Sequence, residues 1–97
     1  FDLPNHMAEH VYMYAGESVH VTFHTGKPQI ADVLDWFGRD AQLSAVDDDT
    51  VQVEVKVNEN AMFFWALQYG LVVEVKSPES LRSRLAEATK AMAKKYR

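Results

Sequence analysis

The sequence predicts an α+β domain of ferredoxin-like type: a split β-α-β (β-α-β-β-α-β) four-stranded antiparallel sheet plus a C-terminal helix. Two observations predict it. Two runs alternate apolar and polar residues with period two, Val19, Val21 and Phe23 against His20, Thr22 and His24, and Val51, Val53, Val55 and Val57 against Gln52, Glu54 and Lys56. Such alternation marks strands with one dry face and one wet face. Apolar stripes of helical spacing then fall between and after the strands, so the helices can all cover one side.

The elements follow in order. The first strand runs through Val19 to Phe23. Pro28 is suited to the first turn of a helix, and Ile30, Val33, Leu34 and Phe37 form one stripe before Gly38 supplies the stop. Leu43 and Ala45, with Ala41 as an optional member, give a weaker second strand. Asp47, Asp48, Asp49 and Thr50 make the turn into the third, because Asp is a turn former and like charges stay in water. Asn58 is a good N-cap for a second helix carrying Ala61, Met62, Phe64, Trp65 and Leu67 and ending at Gly70. A fourth strand is expected through Leu71, Val73 and Val75. The last helix is expected to have Ser77 as cap and Pro78 at its first position, with Leu81, Leu85, Ala88 and Met92 as its stripe.

Composition narrows the function. The 97 residues suit one domain, and a hydrophobic fraction of 47% suits one core. No apolar run is long enough to span a bilayer, so no membrane is expected. The absence of cysteine removes disulfides and thiolate chemistry and fits a cytoplasmic location. A net charge of −4 makes a poor stand-alone DNA binder, since such binding depends on Lys and Arg displacing counterions. Arg82, Arg84, Lys90, Lys94, Lys95 and Arg97 do cluster, but on a helix, where they read as a solvated face. The chain begins with Phe1 and has no signal segment, so it reads as an excised piece of a longer protein.

Chemistry finds few candidates. His20 and His24 would lie roughly 13 Å apart along one strand, too far to share an ion. His6 and His10 have i, i+4 spacing but no third ligand, so no metal is expected. No serine sits in a nucleophile motif, and Asp32 with Asp35 falls on a wet helix side. The glycines do not form a phosphate-binding loop, so neither a cofactor nor an acylphosphatase-like activity is expected. The chain reads as non-enzymatic.

What remains is an interaction surface. His20, Thr22, His24, Gln52, Glu54 and Lys56, with Glu74 and Lys76, should line the open sheet face. RNA-binding sheets of this topology place aromatic rings there, and this face carries none. Phe23, Phe37, Phe64 and Trp65 are assigned to the core instead. Trp36, Phe63 and Tyr69 fall beside the stripes, so they either pack beneath the C-terminal helix or meet a partner. The candidate partner or ligand face is therefore His20, Thr22, His24, Gln52, Glu54 and Lys56, with Trp36 and Phe63.

Several segments resemble a known family. Phe1-Asp2-Leu3, Met7-Ala8-Glu9-His10 and Gly16-Glu17-Ser18-Val19 look like the end of a WYL domain running into its C-terminal extension, the WCX domain. Asp32-Val33-Leu34-Asp35-Trp36-Phe37-Gly38, Trp65-Ala66-Leu67-Gln68-Tyr69-Gly70 and Val73-Glu74-Val75-Lys76-Ser77-Pro78-Glu79 are similar to that extension's order of signatures. The resemblance implies residues 1–16 as the tail of the WYL domain and connector, and 17–97 as the extension.

It also implies a bacterial transcription regulator with an N-terminal winged helix-turn-helix. In such proteins the extension aids assembly and effector response, and a second protomer is the expected partner. DNA would be met only through the absent helix-turn-helix. The effector, a nucleic acid in some members, would be bound mainly by the WYL domain. The Trp-Tyr-Leu motif and its basic neighbours have no match in this chain, so no contacting residues carry over. The alternative reading is a self-contained small-molecule sensor, with a pocket between protomers or below the C-terminal helix.

Overall fold

The two valine rows meet in the middle of the sheet. The computed structural model describes residues 18–97; the expected connector over 1–16 and the His6–His10 pair lie outside them. Strand β1 (Ser18–Gly26) pairs antiparallel with β3 (Thr50–Asn58) along its whole length, from Ser18 opposite Asn58 to Gly26 opposite Thr50. Strand β2 (Gln42–Ala45) adds to the far side of β3, and β4 (Val73–Ser77) to the far side of β1. The order β2-β3-β1-β4, antiparallel throughout, is that of the predicted split β-α-β sheet.

Helix α1 (Ile30–Phe37) connects β1 to β2 after a short 3₁₀ turn that contains Pro28. Helix α2 (Glu59–Gln68) follows β3, and α3 (Glu79–Lys95) follows β4. Val21, Phe23, Val51, Val53, Val55 and Val57 are buried with Val33 and Phe37 of α1, Met62 and Trp65 of α2, and Leu81 of α3 in one core. Each such side chain taken from water contributes roughly 1.5–3 kcal/mol before entropy is counted. The rings of Phe23, Phe37 and Trp65 lie within 5.7 Å of one another, centroid to centroid.

Local chemistry accounts for the boundaries. Asn58 Oδ1 accepts the Ala61 N–H at 3.1 Å and so caps α2, as its residue type predicts. Gly38 ends α1 at φ 67° and ψ −152°, a backbone region open essentially to glycine alone. Asp47 Oδ1 accepts from the N–H groups of Asp49 and Thr50, both at 2.8 Å, and closes the acidic turn. Those backbone bonds, that to Asp49 foremost, hold the Asp47 carboxyl below its usual range.

Four expectations need correction. Leu71 is not in the fourth strand; it is fully exposed in the turn that links α2 to β4. That turn is held by Val72 N–H to Tyr69 O, and pairing with β1 begins only at Val73, opposite Thr25. Ser77 ends β4 rather than capping α3, and Pro78 occupies the cap position, its carbonyl accepting from Leu81 and Arg82 N–H. Phe64 is exposed rather than buried, because α2 turns Ala61, Met62, Trp65 and Ala66 inward. Of the α3 stripe only Leu81 is fully buried: Leu85 is half-buried, and Met92 is exposed where the helix runs past the rest of the fold.

Candidate functional site

Strand pairing assembles most of the predicted face. On β1 and β3, His20 lies opposite Lys56, Thr22 opposite Glu54 and His24 opposite Gln52. Glu74 of β4 flanks His24, while Gln42 and Ser44 of β2 flank Glu54 and Gln52. All are exposed or half-buried, and their neighbours along the strands point into the core. His24 Nε2 donates to Gln52 Oε1 at 3.0 Å, so that imidazole is oriented by its cross-strand neighbour. Lys76 pairs with Glu74 at 3.3 Å, an exposed ion pair of small energy.

Trp36 and Phe63 do not join this face. Trp36, on α1, donates its Nε1–H to the Tyr69 hydroxyl at 3.2 Å, with the two rings 6.1 Å apart and nearly perpendicular. Tyr69 in turn lies 4.9 Å from Trp65, so these side chains extend the aromatic core towards the surface. Phe63 sits beneath α3, where the Arg84 guanidinium lies 4.4 Å from its ring centroid. Arg84 also pairs with Glu59 at 3.3 Å, and Ser80 donates to the same carboxylate at 3.2 Å. Phe63 thus holds α3 against α2.

A second surface was not assigned residues in the sequence. Between the end of α2, strand β4 and helix α3 lies an open groove of about 610 Å³. Leu67, Leu71, Val73, Leu85 and Met92 supply much of its apolar wall, and Arg82 also lines it. Arg82 is already engaged, donating to Val75 O at 2.6 Å and lying 3.8 Å from Glu79. The signal available in the sequence was the pair Leu71 and Met92, apolar residues assigned there to a strand and a helix stripe.

The arrangement presents a polar sheet face and an apolar groove. Among the described residues no group of three or more His, Asp or Glu is placed to hold a metal. Among the same residues no helix is long and apolar enough to cross a membrane. The outward positions of the strands carry no aromatic ring on which a base could stack.

These features define an α+β domain with a polar, mixed-charge sheet face on one side and an apolar groove under its last helix on the other. The WCX domain model matches residues 15–93, and the chain belongs to that family. No curated protein matches the chain.

Proposed function

We propose that the chain is the non-catalytic C-terminal regulatory and dimerisation domain of a WYL-type, helix-turn-helix transcription regulator in the bacterial cytoplasm. In that setting it aids assembly and effector response, while other parts of the regulator meet DNA and bind most of the effector. The match to the WCX domain over residues 15–93 carries this reading. A polar sheet face without rings, and a net charge of −4, agree with a protein partner better than with direct nucleic-acid contact.

Mechanistically, the domain would hold two protomers in a geometry that an effector shifts by binding one arrangement better than another. The test is sedimentation and operator binding by the whole regulator, with and without residues 17–97. The deletion is expected to weaken dimer formation and blunt the effector response. A truncated regulator that assembles and responds like the intact one would remove the proposal.

The groove favours a second reading, a self-contained small-molecule sensor. Its volume lies within the usual ligand-pocket range of roughly 300–1,000 Å³. A bound metabolite at 100 times its dissociation constant would add about 2.7 kcal/mol of stability. A thermal-shift screen of small apolar acids and amides would show this as a raised melting temperature, abolished in Leu71→Glu.

A further inference from the structure

The two edges of the sheet are finished differently. On β4, Glu74 and Lys76 alternate with the apolar residues and pair with each other. Helix α3 packs along this strand, and Arg82 takes up the Val75 carbonyl. Charge on the strand and a covering helix are the usual means of blunting an edge. At β2 the described residues provide neither. Gln42-Leu43-Ser44-Ala45 has no charge and no proline, all four residues are exposed, and among the described residues only β3 pairs with the strand. Its outer row of backbone N–H and C=O groups is a template for another strand.

Apolar side chains border this open edge. Leu43 lies opposite Val53 and so belongs to the helix-covered side, yet it is 36% exposed. Val46, the residue after β2, is 48% exposed. The core therefore reaches this edge without being closed over.

We propose that β2 is a dimerisation edge, pairing antiparallel with β2 of a second copy about a two-fold axis normal to the sheet, an assignment that rests on the assembly role proposed above. That symmetry keeps the helices of both copies on one side, so Leu43 meets the apolar row of the second strand and Ser44 its polar row. No charged residue within the strand is brought against another. A second copy fits better than an isolated peptide, because only a whole domain brings a matching apolar border to cover Leu43 and Val46. The guarded β4 edge keeps the pairing from propagating, so assembly closes at two.

The test is sedimentation equilibrium of the 97-residue chain up to about 1 mM, as befits a four-residue edge. Leu43→Lys and the groove variant Leu71→Lys are run beside the wild type, with circular dichroism to confirm folding. The wild type is expected to dimerise, Leu43→Lys to weaken the dimer about tenfold or more, and Leu71→Lys to leave it within about twofold. Hydrogen exchange on the wild type is a readout that needs no variant: β2 amides should slow as concentration rises.

A monomeric wild type across the range, or a dimer lost in Leu71→Lys but kept in Leu43→Lys, overturns the edge assignment. The second result leaves the assembly role standing on another surface. The assembly role itself fails only in the deletion experiment on the whole regulator.

Discussion

Trp36 Nε1 donates to the Tyr69 hydroxyl at 3.2 Å, and this bond ties α1 to the end of α2, two elements that share no strand pairing. Both side chains are half-buried and packed against the core. Tyr69→Phe keeps the ring packing and removes only the acceptor. A net hydrogen bond is worth about 0.5–1.5 kcal/mol, and the half-exposed indole can turn to water, so the loss should fall near the lower bound. Urea denaturation of wild type and variant measures it directly. A loss above about 2 kcal/mol would mean that the hydroxyl has a further structural role.

Trp65 Nε1 is buried without a hydrogen-bond partner among the described residues, and its ring meets those of Phe23, Phe37 and Tyr69. An unmet buried donor costs about 1–3 kcal/mol. Trp65→Phe removes that donor along with part of the ring, so the two effects offset. A net change below about 1.5 kcal/mol is expected, against roughly 3–5 kcal/mol for Trp65→Ala. Trp36 is then the sole tryptophan, and its fluorescence follows unfolding in the Phe variant.

Asn58 is buried, and its side chain accepts the Ala61 N–H at the start of α2. Asn58→Ala should cost about 1–2 kcal/mol, towards the upper end of the cap range because water cannot replace the lost acceptor. Asn58→Asp retains an acceptor and should recover part of the loss. Thermal unfolding of the three proteins ranks them; equal melting temperatures for the Ala and Asp variants would refute the cap's contribution.

Gly38 closes α1 at positive φ. A Cβ there would be held in a strained backbone region costing about 1–3 kcal/mol, so Gly38→Ala should lower the denaturation midpoint without changing its slope.

Asp47 links stability to pH. Its folded-state pKa is depressed by the Asp49 and Thr50 N–H groups, with desolvation opposing and Lys27 adding a favourable charge. A depressed carboxyl contributes stability that is fully present above its unfolded value and lost as pH falls through the folded one. Asp47→Ala should therefore melt below the wild type at neutral pH, and the gap should close as pH drops below 3.8. A gap that stays constant from neutral to strongly acidic pH would contradict this.

Much of the fold can be read in the sequence because strands with one wet face declare their period. Val51, Val53, Val55 and Val57 could only be a half-buried strand, and all four are buried. Asn58, Gly38 and Asp47 were legible for a similar reason, since caps and turns are made by residues acting on backbone close by in sequence. The six polar residues of the open face followed from the same alternation.

The inward face of α2 was beyond that logic. Apolar residues surround this helix, so spacing alone could not choose between Phe64 and Met62; contact with Phe23 and Phe37 turned Trp65 and Met62 inward.

Local alternation and end chemistry, both written within a few residues, suffice to specify the four strands and three helices of residues 18–97, their order and the wet face of the sheet. What happens at the margins depends on long-range packing. The Trp36–Tyr69 contact, the stranded Leu71, the groove beneath α3 and the contrast between a guarded β4 and an open β2 all depend on residues brought together from distant positions. A pattern of apolar spacing says which side of an element seeks burial, but how far burial reaches is set by the size and placement of the elements that cover it. That is why Leu43 and Met92, apolar and in register, still meet solvent.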